Sequence, residues 1–403
     1  MPGKRPTIRE VARLAGVSIG TVSNVLNRTG AVHAETRDAV ERAIAELGYR
    51  PNTIARSLIA RRSRSHEPRA RLGPKLTAVG YLSVDYTARL RTLPRRDDRM
   101  TAVGIEKSLG GPAANVAVMA AGLGGGWSVE CELITALGED ADSEWALTEL
   151  AARNVDVIGL RGGHGQRLSR CIVLVEPNGS RTIVNEPFVL EEQNVARYLS
   201  GPSDGGRRHC VHLDGYQAAA MAKSVRDMRD RGLVTSVHTT GLRKDWRTPE
   251  GVARLRSDFD LVFLNRDVAR DVLDFAGTDL DLVQRVRTLC ARTAPADGEG
   301  LVLLTLGAIG AALFRGGEGP LLQPALAVEP VDATGAGDTF AGVFLATWLN
   351  DEPLAAALRY AVTAASLSIA AEGAQGLRIS AGDLAALSGE AAETAPSAAV
   401  AEH

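Results

Sequence analysis

Short apolar runs alternate with helical stretches from residue 76 onward, and this alternation limits the possible folds more than any other feature of the sequence. Strands that alternate with helices indicate a largely parallel sheet with helices on both faces. We therefore predict an α/β fold for most of the chain. The runs interpreted as buried strands are residues 76–80, 131–137, 211–213, 234–237, 261–264 and 301–306.

Two stretches have a different pattern, in which polar and apolar residues alternate over short distances. They are residues 81–110 and residues 169–176, and the second turns at 177–179 and returns through 181–185. A period of two is typical of strands with one exposed face, and Pro-Asn-Gly is a turn sequence. These segments predict a small β-sheet separate from the main one.

Length and composition set further limits. The 403 residues suggest two or three domains, and 45% apolar with 23% charged residues excludes a fibrous or wholly disordered chain. Four scattered cysteines without a Cys-x-x-Cys pair favour a cytoplasmic protein with no disulfide framework and no zinc site. The first ten residues lack the apolar core of a signal peptide. The most apolar run, residues 301–314, is too short to span a bilayer and predicts a strand followed by a turn.

Charge is distributed unevenly along the chain. Residues 1–75 hold 15 Lys and Arg against 6 Asp and Glu, a net charge of +9, whereas the remainder carries −11. A basic segment attached to an acidic body favours a nucleic-acid-binding module joined to another domain. A solvated basic arm would have the same charge, so charge alone does not decide between the two.

Three short helices are predicted near the N-terminus. Thr7 and Glu10 form a capping box that starts the first helix, and Gly16 permits the tight turn after it. Ser18 caps the second helix, and a third helix covers residues 35–47. Two short helices joined by a glycine-containing turn are typical of an all-α helix-turn-helix domain.

This module resembles the DNA-binding head of the LacI family of repressors. The matching text is TIREVARLAGVSIGTVSNVLN followed by ETRDAVERAIAELGYRPNTIARSL. The resemblance implies that residues 18–27 are the recognition helix in the major groove and that residues 52–60 are a hinge helix. It assigns base reading to this recognition helix, where Asn suits an adenine edge. The residues at or beside base-reading positions are Ile19, Gly20, Thr21, Ser23 and Asn24.

The same resemblance implies DNA contacts outside the base-reading positions. Leu58 stands where the family inserts a leucine into the minor groove, and this leucine works in pairs. A homodimer and a near-palindromic operator are therefore implied. The residues that match phosphate-contacting positions are Thr7, Ser18, Arg28 and Asn52.

A linker follows the helix-turn-helix head. Residues 63–75 are rich in basic residues, include two prolines and contain almost nothing apolar. We therefore divide the chain into the head with its hinge over residues 1–62, this basic linker, a larger domain over residues 76–390 and a disordered tail over residues 391–403.

The strongest chemical motif is Asp-Ala-Thr-Gly-Ala-Gly-Asp at residues 332–338. Its Gly-Ala-Gly segment stands directly before an apolar helix predicted at 340–349, and free amides at a helix N-terminus form an anion site. Asp338 would repel the anion bound there. It is better suited to take a proton from a hydroxyl group that attacks a phosphoryl group.

Other short polar or glycine-rich stretches follow predicted strands. Gly110 and Gly111 precede a helix that has Asn115 in its first turn. Open α/β sheets bind ligands at the carboxyl ends of their strands, so we expect these stretches to form one site. The remaining members of the set are Asp85, Asn265, Thr305, Gly307 and Gly310.

This set, in this order, resembles the PfkB (ribokinase-like) carbohydrate kinases over residues 76–380. The most specific segments are DATGAGDTFAGVF and GGPAANVAVMAAGLGG. The resemblance implies a ribokinase-like α/β/α domain with a β-sheet lid formed by residues 81–110 and 169–185. It also implies ATP and Mg²⁺, with no protein side chain as a direct metal ligand. In many members of the family the lid makes the dimer contact.

The resemblance assigns roles by position, with Asp338 as the general base on the sugar hydroxyl. Asp332, near residues 373–375, matches the position where many members bind a monovalent cation such as K⁺. The residues that would form the anion hole are Gly335, Ala336 and Gly337. Those that would hold sugar hydroxyls are Asp85, Gly111 and Asn115. Those that would line the nucleotide side are Asn265, Thr305, Gly307 and Gly310.

Three positions depart from the family pattern. The family usually has Asn-x-x-Glu, whose Glu helps to organise Mg²⁺ and phosphate, but here Val268 replaces that Glu. The change puts catalytic efficiency in question. Ser83 replaces a sugar-binding Asn of ribokinases and Pro112 replaces the Lys after their glycine pair, which puts ribose in question as the substrate.

Several other polar residues have two possible roles. Asp214 follows a strand in the expected sugar cleft, where a structural role is as plausible as a binding role. Arg170 and Arg181 could meet a phosphate group on the substrate, although exposed charges on the lid are the simpler interpretation. Three histidines near strand ends have a spacing that suits no metal triad, so we expect surface or core residues. They are His209, His212 and His238.

The sequence leaves two main hypotheses. In the first, the chain is a sugar kinase that uses MgATP, and its DNA-binding head regulates transcription or locates the enzyme. In the second, the kinase fold is a sensor whose sugar or nucleotide binding shifts the affinity for DNA. Asp338 and its motif favour the first hypothesis, whereas the missing carboxylate at Val268 favours the second. A kinase with a vestigial head is disfavoured by the intact motifs of the head.

Overall fold

The structure is a computed structural model, and it describes residues 8–18, 21–22, 25, 34–47, 73–160, 167–176, 181–188, 190–200, 206–294, 300–316 and 318–394. The chain divides into two compact units, Met1–Ala70 and Arg71–His403. The division falls inside the segment expected to be a linker.

The first unit contains helices where its sequence predicts them. They are α1 (Ile8–Leu14) and α2 (Ala34–Leu47). Gly16 adopts a φ of 64° in the turn after α1, and Ser18 Oγ accepts a hydrogen bond of 3.0 Å from the backbone N–H of Thr21. The expected cap at Ser18 is therefore present. The buried core of this unit consists of Val11, Ala12, Val22, Val25, Val40 and Ala43.

The second unit is built on two sheets. Its strands are β1 (Lys75–Val79), β2 (Ser83–Arg89), β3 (Gly104–Gly110), β4 (Glu130–Ala136), β5 (Val155–Leu160), β6 (Ser169–Val175), β7 (Arg181–Asn185), β8 (His209–Leu213), β9 (Val234–His238), β10 (Leu261–Asn265), β11 (Leu301–Thr305), β12 (Gly310–Arg315) and β13 (Leu321–Pro324). Within the described residues, nine strands form the main sheet in the order β13-β12-β11-β10-β9-β8-β1-β4-β5. Strands from β11 to β5 in this order are parallel, and β12 pairs antiparallel with both β11 and β13.

Helices cover both faces of the main sheet, as predicted. They are α3 (Pro112–Leu123), α4 (Ala141–Ala151), α5 (Glu192–Leu199), α6 (Gly215–Ala218), α7 (Ala222–Asp230), α8 (Pro249–Asp258), α9 (Arg266–Leu273), α10 (Asp279–Arg292), α11 (Ala336–Leu349), α12 (Leu354–Ser368) and α13 (Ala381–Thr394). One core cluster takes its buried residues from α3, α4, α11, α12 and α13, and the other from α5 to α10. None of the described helices is both long and apolar enough to cross a membrane.

The smaller sheet has the order β3-β2-β6-β7 and is the lid expected from the alternating segments. The strands β2 and β6 pair in parallel, and the Asp85 position of β2 is opposite Cys171 of β6. Directly opposite residues share a face of a sheet. Asp85 therefore lies within β2, on the same face as the buried Cys171, and not in a loop after the first strand.

Three elements differ from the sequence-based expectation. The run 301–314 contains β11, a short turn and the antiparallel strand β12. The chain reverses there because Gly307 and Gly310, at the two ends of the turn, adopt positive φ values. Helix α11 begins at Ala336, which brings Asp338 inside the helix. Helix α13 continues to Thr394, into the segment expected to be a disordered tail.

Gly342 brings two buried helices into close contact. A Cβ atom at this position of α11 would lie 2.7 Å from the backbone oxygen of Val116 and 2.9 Å from Cβ of Met119, both in α3. Such distances are too short for carbon, so the two helices pack this closely because residue 342 has no side chain.

We expect Gly342→Ala to lower the free energy of unfolding by about 1–3 kcal/mol, the usual range for overpacking a core. In an open helix the same change stabilises by up to about 1 kcal/mol. Gly122 of α3 supplies that control, because a Cβ atom there would meet nothing within 4 Å. Urea denaturation of both variants measures the difference, and equal effects of the two changes would contradict the close packing.

Candidate functional site

The carboxyl ends of five neighbouring parallel strands lie along one edge of the main sheet. In spatial order these strands are β11, β10, β9, β8 and β1. Thr305 and Asn265 end the first two strands and pair in register. His238 ends β9, and Asp214 follows β8. Residues from widely separated parts of the sequence are thereby brought to one edge, as the sequence predicts.

Asp338 is held from two sides at this edge. It lies in the first turn of α11 and is 7% exposed. Asn115 Nδ2 donates a hydrogen bond of 2.8 Å to Asp338 Oδ2, and Gln375 Nε2 donates one of 2.9 Å to Asn115 Oδ1. His238 Nδ1 lies 3.3 Å from Asp338 Oδ1. The structure thus joins Asp338 directly to Asn115, which the sequence predicts only as a member of the same site.

The glycine-rich loop before α11 is fixed by its neighbours. Gly335 has a φ of 75°, and a Cβ atom on it would lie 2.6 Å from Cβ of Ala374. Asp332 accepts backbone hydrogen bonds of 2.8 Å from Thr334 and 3.0 Å from Gly373. These contacts tie the loop to residues 373–375 and leave the amides at the start of α11 in one arrangement.

The Asp332 carboxyl is held in its ionised form. Its burial opposes ionisation, but hydrogen bonds from Thr334 and the backbone of Gly373, together with the charge of Arg181, keep its pKa below the usual range. This is the expected behaviour of a carboxylate that organises a loop. A negative charge at this position is also compatible with a nearby cation.

A further acidic side chain of the site, Asp85, lies on the lid strand β2. Ser83 Oγ donates a hydrogen bond of 2.6 Å to Asp85 Oδ1, and Gly110 lies so close to Asp85 that a Cβ atom would clash with the carboxyl. Burial raises the pKa of Asp85, and the charge of Asp338 adds to the effect. Gly111 caps α3 with a φ of 100° and packs against the backbone of Tyr81, where no larger residue fits.

Asp214 is fully buried and has a structural contact on each oxygen. The backbone N–H of Tyr81 donates to Oδ2 at 2.6 Å, and that of Gln217 donates to Oδ1 at 3.2 Å. Burial raises the pKa of Asp214 to about 7, with the charge of Asp338 as a smaller cause. These bonds join the segment after β1 to the start of α6, where Tyr216 stacks on Tyr81 at 5.3 Å.

On the predicted nucleotide side, the sequence alone does not show that the Val268 side chain packs in the apolar core. Asn265 caps α9 by accepting a hydrogen bond of 2.8 Å from the backbone N–H of Val268, whose side chain is 3% exposed and packs in the apolar core. Asp267 is exposed, and its Oδ1 lies 3.8 Å from Nε of Arg266. Gly307 lies beside Arg266, whose Nη1 would be 3.7 Å from a Cβ atom there. Gly310, with a φ of 121°, begins β12 against the backbone of β13.

Three residues near the site make contacts that the sequence analysis did not predict. Gln375 was expected only within a cation-binding stretch, and Arg266 was not singled out. His238 was expected to be a surface or core residue because only metal spacing was considered. Its position at the end of a strand that reaches the ligand edge was the available signal. Arg170, considered as a phosphate contact, instead forms an ion pair of 2.6 Å with Asp142.

Only part of the predicted DNA surface is described. The hydroxyl groups of Ser18 and Thr21 lie 2.9 Å apart at the start of the second helix of the head. The other predicted contacts lie outside the described residues. They are Thr7, Ile19, Gly20, Ser23, Asn24, Arg28, Asn52 and Leu58.

Comparison with known proteins matches both units. Residues 74–380 match the family model described as pfkB family carbohydrate kinase, and residues 7–52 match bacterial regulatory proteins of the lacI family. The ATP-dependent ribose-1-phosphate kinase of Halopiger xanaduensis is 28% identical over 310 residues, which cover 75% of this chain and 94% of that one. The HTH-type transcriptional regulator CelR of Thermobifida fusca is 57% identical over 60 residues, which cover 15% of this chain and 18% of the regulator.

The fold has close counterparts among solved structures. Arabidopsis thaliana ribokinase complexed with ribose and ATP aligns with a TM-score of 0.61 and 23% identity, covering 79% of this chain and 99% of the ribokinase. The larger unit therefore has the fold of the ribokinase-like carbohydrate kinases. The chain belongs to the pfkB family of carbohydrate kinases. It joins this kinase domain to a LacI-type DNA-binding domain, and it spans less than a fifth of the length of the LacI-type regulators it matches.

We expect Asp214→Asn to flatten the pH dependence of stability. The folded state binds the Asp214 proton more tightly than the unfolded state, so this contribution is present below the unfolded pKa near 4 and is lost as the pH rises through about 7. The loss is on the order of 4 kcal/mol. Urea denaturation from pH 4 to pH 8 should show a smaller decline for Asp214→Asn than for the wild type.

Asp227→Asn is the control, because Asp227 is exposed on α7. Its stability should follow the wild-type pH profile. If Asp214→Asn declined as steeply as the wild type, the Asp214 carboxyl would not be the group that titrates.

Proposed function

We propose that the second unit transfers the terminal phosphoryl group of MgATP to a sugar hydroxyl, and that the first unit binds operator DNA. The observation that carries the kinase half is the position of Asp338 in the first turn of α11, beside the glycine-rich start of that helix and held by Asn115. A carboxylate next to amides that can bind an anion is the pairing that phosphoryl transfer to an alcohol requires.

In the proposed reaction, Asp338 accepts the proton of the attacking hydroxyl group. The hydroxyl oxygen forms a bond to the terminal phosphorus as the bond from that phosphorus to ADP breaks, and ADP leaves with the electron pair. The backbone N–H groups of Gly335, Ala336 and Gly337 stabilise the negative charge of the group in transfer. Asp85, Gly111 and Asn115 hold the other sugar hydroxyls, so that one of them faces Asp338.

The phosphates of the nucleotide need positive partners on the side of β10 and β11. Mg²⁺, when bound with ATP, neutralises part of their charge. Among the described residues, no group of three or more His, Cys, Asp or Glu side chains could hold a metal ion. Arg266 beside Gly307 supplies a guanidinium group next to Asn265, Thr305 and Gly310.

A monovalent cation is the third component of the proposal. Asp332 keeps its negative charge because hydrogen bonds and Arg181 lower its pKa despite burial. It also connects the loop before α11 to Gly373. A K⁺ ion near Asp332 would stabilise this loop and thereby the amides that bind the phosphoryl group.

The sugar is proposed only as a class. The relative from Halopiger xanaduensis is named for ribose 1-phosphate, and the Arabidopsis neighbour was solved with ribose. Ser83 and Pro112, which differ from the ribokinase pattern, leave room for a different pentose or hexose. A test panel therefore needs free sugars, nucleosides and sugar 1-phosphates.

We expect Asp338→Asn to lower kcat by about 100- to 10,000-fold on whichever sugar is accepted, because the amide cannot take the hydroxyl proton. ADP release with MgATP across the panel measures the effect. Asp227→Asn is the control, since Asp227 is exposed on α7, which contributes no residue to the proposed site, and it should retain wild-type turnover. An Asp338→Asn variant with wild-type kcat would exclude Asp338 as the base.

A second candidate function is supported by Val268. This residue packs in the apolar core where the family pattern has a carboxylate. A kinase fold that binds sugar and nucleotide without turnover would act as a sensor for the DNA-binding head. Calorimetry would then detect sugar binding in the absence of ADP release, and saturating ligand would change operator affinity. Turnover that is lost in Asp338→Asn excludes a pure sensor.

The lid presents an apolar face that suits a second copy of the chain. Ile172 is opposite Val184 in the sheet, Ile105 of β3 lines the same surface cavity as both, and all three are about half exposed or more. These side chains lie on the face away from Asp85 and Cys171. LacI-type heads bind operators in pairs. A homodimer through the lids would supply two heads for a near-palindromic operator.

We expect Ile172→Lys combined with Val184→Lys to convert the dimer to a monomer in light-scattering chromatography. Operator affinity should fall by about 100-fold or more, because the two heads lose their mutual effective concentration. Leu280→Lys is the control, since Leu280 is an apolar residue of α10 that is 67% exposed. A dimer that survives the lid substitutions would place the dimer contact elsewhere.

A further inference from the structure

His238 points its ring at the same carboxylate that Asn115 holds. It is the last residue of β9 and is 3% exposed. Its Nδ1 lies 3.3 Å from Asp338 Oδ1, but the two are not aligned as a hydrogen bond. Within the described residues, Nδ1 has no other hydrogen-bonding partner. A buried ring nitrogen without a partner is costly, so this geometry requires a reason.

The ring is confined by the residues around it. Phe263 of β10 meets it edge-on at 6.3 Å, and His212 lies 6.5 Å away on β8. A Cβ atom on Gly337 would be 3.4 Å from the imidazole atoms Cε1 and Nε2. The imidazole therefore lies between the sheet and the first residues of α11, with Nδ1 directed at Asp338.

We propose that His238 is a positioning residue for Asp338 in the phosphoryl transfer. With its proton on Nδ1 it donates to Asp338 Oδ1 while Asn115 donates to Oδ2, so the carboxylate is fixed in one plane. This inference rests on the proposed role of Asp338 as the general base. The hydrogen bond becomes linear when substrate is bound, as catalytic hydrogen bonds often do.

The two donors leave Asp338 able to act as the base. Each carboxylate oxygen has a second acceptor direction, so one remains for the sugar hydroxyl. The hydroxyl proton goes to Asp338, the new bond forms between hydroxyl oxygen and phosphorus, and ADP leaves. His238 gains and loses no proton in this sequence. Its effect is to hold the accepting oxygen in the position from which attack occurs.

His212 is the matched comparison for this role. It is fully buried on the neighbouring strand, and its Nδ1 lies 2.8 Å from Ser236 Oγ. Burial, with a smaller effect of His238, lowers the pKa of His212 to about 3, so the ring is neutral. It makes no contact with Asp338 that the structure describes.

The test compares His238→Leu, His238→Asn and His212→Leu in the full-length chain. His238→Leu should lower kcat by about 10- to 100-fold, with KM for sugar and for ATP changed less than about threefold, because only the orientation of the base is lost. His238→Asn should recover most of kcat, since its amide N–H occupies the position of Nδ1. His212→Leu should retain kcat within about threefold.

Thermal unfolding separates these effects from a failure to fold. An unchanged kcat in His238→Leu, or a His238→Asn variant no better than His238→Leu when both are folded, would overturn the assignment. A loss of kcat in His212→Leu equal to that in His238→Leu would also overturn it.

A second measurement needs no turnover. Nitrogen–proton NMR correlation of the His238 ring, identified by its absence in His238→Asn, shows which ring nitrogen carries the proton in the wild type and in Asp338→Asn. Contact with the carboxylate predicts a proton on Nδ1 in the wild type and a changed chemical shift of that proton in Asp338→Asn. A proton carried by Nε2 alone in the wild type would refute the contact. If no sugar is phosphorylated but the Nδ1 proton is present and responds to Asp338→Asn, the proposed function fails while the contact between His238 and Asp338 stands.

Discussion

The close approach of α3 and α11 is the constraint on which the candidate site depends. Gly342 permits it, because any side chain there would meet the backbone of Val116. One turn earlier in α11 is Asp338, and the residue before Val116 is Asn115, which binds it at 2.8 Å. The close packing of α3 against α11 therefore also brings Asn115 within hydrogen-bonding distance of Asp338. A change that separates the helices moves the carboxylate as well.

The pKa values of two acidic groups in the site are shifted mainly by burial and not by pairing with cations. Asp85 and Asp214 both have a raised pKa, first because of burial and then because each feels the charge of Asp338. The pKa of Asp332 is lowered instead, because the backbone N–H groups of Thr334 and Gly373 stabilise its negative charge. A polyol is a suitable ligand for Asp85, because its hydroxyls donate hydrogen bonds to a half-buried carboxyl without adding charge.

Periodicity and motifs predicted the main sheet, the lid and the edge at which polar residues gather, because strand spacing and turn glycines are local signals. The antiparallel strand β12 was missed, since its apolar residues are continuous with those of β11. The contact of His238 with Asp338 was also missed. It depends on how α11 crosses the end of β9, and 99 intervening residues separate the two in the sequence. Local patterns carry no information on such a crossing.

The burial of Val268 shows how the structure around α9 accommodates the loss of the carboxylate in the family pattern. In α9 the capping half of the Asn-x-x-Glu pattern survives, because Asn265 still accepts the N–H of residue 268. The side chain at residue 268 instead joins the apolar core with Val262 and Leu304. Val268 therefore leaves the start of α9 undisturbed while the carboxylate of the family pattern is absent from the proposed nucleotide side. Arg266, whose nearest carboxylate oxygen is 3.6 Å away on Asp279, is left as a cation able to turn toward phosphate. In the proposed kinase, electrostatic stabilisation of phosphate would depend on the Arg266 guanidinium more than on a metal-organising carboxylate.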